Sequence, residues 1–168
     1  MRASASMPLV SKFVEIDGYK LLDGGMTSSI PLKLFEDLGY NKNVVILTQP
    51  REFVKSKNKT MWLIKIMLKK YPKLVEAMAN RHKVYNDEKV YTFEQEKQGN
   101  VFVICPEVDL GISRTENNPE ELQRVYEEGR NVALKKLEPD RHNPYSLLPF
   151  QYHISLLYLL NYPYFHHL

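Results

Sequence analysis

Val44-Val45-Ile46-Leu47-Thr48 is a continuous apolar, largely β-branched run. Such a run suits a strand covered on both faces, as in a parallel sheet. Just upstream, Pro31-Leu32-Lys33-Leu34-Phe35-Glu36-Asp37-Leu38 reads as a short helix, with proline near its first turn and Gly39 as its C-cap. Earlier still, Phe13-Val14-Glu15-Ile16 and Tyr19-Lys20-Leu21-Leu22 flank Asp17-Gly18, the pattern of a hairpin turning at an Asp-Gly pair. Strand, helix and buried strand in succession predict an α/β architecture.

Past Gln49-Pro50 the character changes. Met61-Trp62-Leu63-Ile64-Lys65-Ile66-Met67-Leu68-Lys69-Lys70 interleaves basic with large apolar residues. The favoured reading is a helix that lays its apolar face on the sheet and leaves its lysines in solvent. The alternative is an interfacial helix meeting a phospholipid surface through Trp62 and the lysines. The segment is too short and too charged to span a bilayer. Tyr71-Pro72 opens a second helical stretch through Leu74, Val75, Ala77 and Met78, expected to end before Asn80-Arg81-His82. His82, with no nucleophile motif nearby and no second histidine at metal-ligand spacing, reads as a polar residue at a helix end. Val101-Phe102-Val103-Ile104-Cys105 reads as a strand closed by Pro106, and Cys105 as a small buried hydrophobe rather than a thiolate nucleophile. A helix follows from Pro119 to Leu137, capped by Asn117 or Asn118, with acidic residues in its first turns.

The composition is that of a packed globular chain. Of 168 residues, 43% are hydrophobic and 26% charged. A formal charge of +3 is too small to imply nucleic-acid binding. The lone Cys105 excludes an internal disulfide and fits a reducing compartment, so a cytoplasmic or membrane-peripheral location is expected. From Arg141 to Leu168 the sequence contains no Lys, Asp or Glu, and three prolines interrupt its short apolar bursts. That tail fits neither a long helix nor a clean strand, and a frameshifted or read-through translation with disorder is the expectation. His166-His167 are too few for a metal site, and no metal or cofactor is expected anywhere.

The residues most suggestive of chemistry are Asp23-Gly24-Gly25, entered from Leu21-Leu22. An Asp-Gly pair is foremost a turn signal. A second reading is a carboxylate presented at a strand end, where glycine permits positive φ and the close approach of other groups.

Ala3-Ser4-Ala5-Ser6-Met7-Pro8, Val14-Glu15-Ile16-Asp17-Gly18, Leu22-Asp23-Gly24-Gly25 and Ser29-Ile30-Pro31 together resemble the patatin-like phospholipase family. That family carries A-S-x-A/S-x-P, D-G-G/A and N-x-P in this order and spacing. Asn80-Arg81-His82, Val84-Tyr85-Asn86, Val101 to Ile104 with Pro106, and Tyr126-Glu127-Glu128-Gly129 look like the C-terminal extension of bacterial patatin-like proteins, so the resemblance covers most of residues 1 to 138. Ser29 departs from the pattern, since the family commonly has Asn there; a serine can still donate and accept locally. The resemblance implies the later part of a patatin-type three-layer α/β/α sandwich over residues 1–50 and a small α+β extension over 51–138, followed by the uncharged tail 139–168. It also implies that Asp23 is the base of a Ser-Asp dyad acting on a lipid or other ester, with Gly24 and Gly25 giving its loop room.

The other half of that site is missing from the sequence. The family nucleophile sits in G-x-S-x-G, whose glycines allow a strained strand-to-helix turn. No serine here is so flanked, and no Gly-rich oxyanion loop is present. The nearest approach, Gly111-Ile112-Ser113-Arg114-Thr115, closes on a β-branched residue after a bulky one, so Ser113 reads as a polar loop or cap. The chain is therefore expected to be the C-terminal portion of a longer lipid acyl hydrolase, or a subunit whose nucleophile comes from a second chain. Alone it is expected to be inactive. The alternative is a non-catalytic interaction or lipid-surface-binding module.

Overall fold

A computed structural model describes residues 2–113 and 116–137. The chain is mixed α/β, with small sheets and several helices. It divides into two compact units, each made of two stretches of sequence.

The first unit comprises Met1–Pro31 and Val54–Tyr91. It opens with strands β1 (Val14–Ile16) and β2 (Tyr19–Leu21), paired antiparallel with Val14 opposite Leu21 and Ile16 opposite Tyr19. Asp17 and Gly18 join them with φ of 51° and 78°. Positive φ at both central residues twists the turn in the same sense as the strands, which is why Asp-Gly pairs favour two-residue hairpins. The hairpin is as the sequence predicts.

Helix α2 (Met61–Met67) buries Met61 and Ile64, and Leu68 just beyond it. These three form a cluster with Tyr71, Leu74, Val75, Met78 and Ala79. The partner of α2 in this cluster is thus the start of the next helix, where a sheet was expected. That next helix, α3, runs unbroken over Pro72–Lys97. The predicted stop before Asn80 is incorrect: no glycine or proline follows Pro72 before Gly99, so nothing interrupts the backbone hydrogen bonds. His82 accordingly lies inside α3 rather than at an end. The helix stops at Gly99, with φ of 78°, where Gly99 N–H donates to Glu96 O and Asn100 N–H to Gln95 O. That pair of bonds is a Schellman ending.

The second unit comprises Leu32–Phe53 and the described part of Thr92–Leu168. Helix α1 (Leu32–Asp37) ends in the same way at Gly39, φ 93°, with Tyr40 N–H reaching back to Phe35 O. The Phe35 and Tyr40 rings meet at 5.9 Å, the apolar contact that accompanies this ending. Strand β3 (Asn43–Ile46) pairs in parallel with β4 (Val101–Ile104), Asn43 opposite Val101 and Ile46 opposite Ile104. Leu47 N–H extends the ladder to Ile104 O at 2.8 Å. All four residues of β4 are buried, while Val44 and Ile46 of β3 are only half covered. The doubly covered strand is therefore β4 rather than β3. One face of the pair packs Phe102, Ile104, Val44 and Ile46 against Val132 and Ala133 of helix α4 (Pro119–Leu137). Asn118 caps α4, its Oδ1 accepting the Glu120 N–H at 3.0 Å.

Among the described residues no helix is long and apolar enough to cross a membrane. The tail 139–168, and Arg114 and Thr115, lie outside the described residues.

Candidate functional site

Asp23 lies two residues beyond β2 and caps a short 3-10 turn over Gly24–Met26. Its Oδ1 accepts the Gly25 N–H at 2.8 Å, and its carbonyl accepts the Met26 N–H. This is the ordinary chemistry of an aspartate at a helical N-terminus, where a side-chain oxygen satisfies an otherwise unpaired donor. Neither Gly24 nor Gly25 has positive φ, so the conformational reason expected for the two glycines does not apply. The turn is helical, and its glycines are there for space or not at all.

Space distinguishes them. A Cβ on Gly25 would lie 3.1 Å from Asp23 Oδ1, 3.5 Å from an Arg81 guanidinium nitrogen and 3.6 Å from Ser29 Oγ. A Cβ on Gly24 would meet nothing within 4 Å. Gly25 is thus the residue around which the loop closes.

Two distant segments hold that loop. From the N-terminal stretch, Ser6 O accepts the Asp23 N–H at 2.9 Å, and Ser6 Oγ is itself bonded to Arg2 O. From α3, Arg81 Nε donates to Gly25 O at 2.6 Å. Two turns further along α3, Glu88 Oε2 accepts the N–H groups of both Ser29 and Ile30, at 2.9 and 2.8 Å. Ser29 adds its own Oγ to Gly25 O at 3.0 Å. Ser29 and Ile30 are buried, so their backbone donors would be costly to leave unpaired. The serine that stands where the resemblance predicts asparagine therefore has a defined place in the loop.

Arg81, Tyr85 and Glu88 are spaced i, i+4 and i+7, which puts all three on one face of α3. Tyr85 is buried, and burial pushes its hydroxyl pKa up; Arg81 opposes that shift and Glu88 adds to it. Lys55 sits over the Tyr85 ring at 4.6 Å, and Asn86 fixes the Lys55 backbone by accepting its N–H and donating to its C=O. Sequence reasoning treated Arg81 as part of a resemblance and did not single out Glu88. The i, i+7 opposite charges were the available signal.

The Asp23 carboxylate is half buried, and Gly25 is the one described residue that donates to it, at Oδ1. Oδ2 accepts no hydrogen bond from any described residue. Chemically, this is a carboxylate with one oxygen anchored and the other available to take a proton.

Residues 71–140 match the family described as Domain of unknown function (DUF6363). The match spans 70 of the 168 residues, taking in α3 with Arg81 and Glu88, β4 and α4, and leaving Asp23 outside it. No curated protein and no solved structure matches the chain.

The remaining candidates are less suited to chemistry. Ser113 is exposed, and its carbonyl accepts a long 3.4 Å bond from Glu116 N–H. Cys105 is buried, and burial pushes its thiol pKa up; Arg51 and Lys136 pull it down, while Glu96 and Glu52 add to the rise. A thiol held protonated is a poor nucleophile. Among the described residues no group of three His, Cys, Asp or Glu side chains could hold a metal ion.

Proposed function

We propose that this chain is the aspartate-bearing portion of a patatin-like lipid acyl hydrolase, with Asp23 as the base of a Ser-Asp dyad. The observation that carries the reading is the state of the Asp23 carboxylate: Oδ1 is tied to Gly25 N–H and Oδ2 has no described donor. A general base needs that division, one oxygen fixing the geometry and the other receiving the proton. In the proposed whole, β1 to β3 belong to the later part of a three-layer α/β/α sandwich, and the segment from α2 to α4 forms the extension.

The serine is supplied from elsewhere, either earlier in the same protein or on a second chain. Its hydroxyl oxygen attacks the ester carbonyl carbon as its proton passes to Asp23 Oδ2. The tetrahedral intermediate collapses, and the alcohol leaves with the proton that Asp23 held. Water then attacks the acyl-serine, gives its proton to Asp23, and the fatty acid departs as the serine recovers a hydrogen. Asp23 must be ionised at the start of each half-reaction.

The test pairs two measurements. This chain alone should neither be labelled by a fluorophosphonate probe nor hydrolyse a p-nitrophenyl ester, because base and nucleophile act as a unit. In a protein that joins it to a G-x-S-x-G segment, Asp23→Asn should lower kcat by at least about 100-fold with the fold intact. Unchanged turnover in that variant, or labelling of the chain alone, would overturn the reading.

A further inference from the structure

We propose that the outer face of α2 docks on an anionic phospholipid surface. Met61, Ile64 and Leu68 turn inward, and the residues between them are left in solvent. Trp62 is 66% exposed, Ile66 62%, Met67 57% and Leu63 41%. Trp62 with Ile66, and Leu63 with Met67, are spaced i, i+4 on adjoining faces of the helix, so the four make one apolar patch. A patch of this kind on a short helix needs an occupant.

Charge identifies it. Lys55, Lys57, Lys59, Lys65, Lys69, Lys70 and Lys73 fall within a stretch that contains no Asp or Glu from Phe53 to Val75. Among the described residues, Lys57, Lys59, Lys65, Lys69, Lys70 and Lys73 make no ion pair. Lys65 and Lys69, four residues apart, border the Trp62 side of the patch. An isologous contact with a second copy would set these lysines against their own equivalents, which like-charge repulsion opposes. An anionic lipid surface satisfies both halves of the face. The apolar side chains and the tryptophan ring enter the headgroup boundary, where aromatic rings with a polar edge are favoured, and the lysines reach the phosphates along their flexible stems. This binding does not depend on Asp23, so it stands or falls separately from the hydrolase reading.

Trp62 is the only tryptophan in the chain, so its fluorescence reports on α2 alone. The full chain would be titrated with vesicles of phosphatidylcholine containing phosphatidylglycerol, and with vesicles of phosphatidylcholine alone. The expected result is a blue-shifted emission, shielded from acrylamide, with the anionic vesicles only, and weakened by added salt. The double variant Lys65→Glu/Lys69→Glu should weaken partitioning by about 30-fold or more, from the contribution of each lysine near such a surface. Ile66→Glu, read by co-sedimentation, should weaken it independently by removing apolar contact. All three sites are exposed, so circular dichroism should be unchanged in both variants. Unshifted emission with anionic vesicles, an equal response to neutral ones, full binding by the lysine variant, or a blue shift produced by protein concentration without lipid would each overturn the proposal.

Discussion

The Asp23 loop and the β3–β4 pair are both built from stretches far apart in sequence, and they are held by opposite means. At β3–β4, Val45, Val101 and Val103 are almost wholly excluded from solvent, and Phe102 and Ile104 pack on Val132. Apolar burial, without direction, does the holding there. Around Asp23 the long-range ties are polar and directional: Ser6 O, the Arg81 guanidinium and one Glu88 oxygen. Apolar packing tolerates small shifts, whereas a hydrogen-bonded loop keeps one backbone conformation or loses its bonds. If Asp23 is the base proposed above, a carboxylate that must meet a reacting hydroxyl within a few tenths of an ångström is better served by the second arrangement.

The comparison breaks most visibly in the apolar region. Phe102→Ala should cost about 3–5 kcal/mol, read by chemical denaturation, because it empties a buried aromatic volume. Glu88→Ala comes next, at about 2–4 kcal/mol, since it strands two backbone donors on buried residues. Its hallmark is regional: hydrogen exchange should accelerate at the Ser29 and Ile30 amides and not at those of β3 and β4. Uniform acceleration would mean that the two regions are not held separately. Within the loop, Gly25→Ala should cost about 1–3 kcal/mol by crowding, while Gly24→Ala should stay within about 0.5 kcal/mol. Equal effects would sink the spatial account of the motif. The smallest effect concerns reactivity rather than stability. With its thiol pKa raised by burial, Cys105 should stay protonated at neutral pH and label slowly with iodoacetamide in the folded chain, faster as pH rises and faster still on unfolding.

What could be read from the sequence was local. The Asp17-Gly18 hairpin, the Gly39 helix end and the limits of α4 each depend on residues within a few positions, where φ preferences and capping decide the outcome. The continuity of α3 was missed because Asn80-Arg81-His82 looks like a polar stop, although nothing in it breaks a helix. The apolar Val44–Thr48 run suited parallel pairing, but nothing in it named β4 as the partner. The turn at Asp23 was legible, but its supports were not. Arg81 and Glu88 act on backbone groups 56 and 59 residues away, and a side chain aimed at a carbonyl or amide imposes no pattern on the sequence it reaches. The resemblance to patatin-like proteins covered both segments without indicating that one grips the other.

The two pairings also differ in when they can exist. Val14 and Leu21 are neighbours along the chain, and a hairpin of that kind closes within microseconds of its synthesis. The Asp23 turn follows directly, yet Glu88 lies 59 residues beyond Ser29. At ordinary rates of translation that interval lasts several seconds, on the order of 3–12 s. For that time the nascent chain carries a complete Asp-Gly-Gly sequence without the helix that braces its backbone, so the bonds at Gly25 O, Ser29 N–H and Ile30 N–H form only after α3 has left the ribosome.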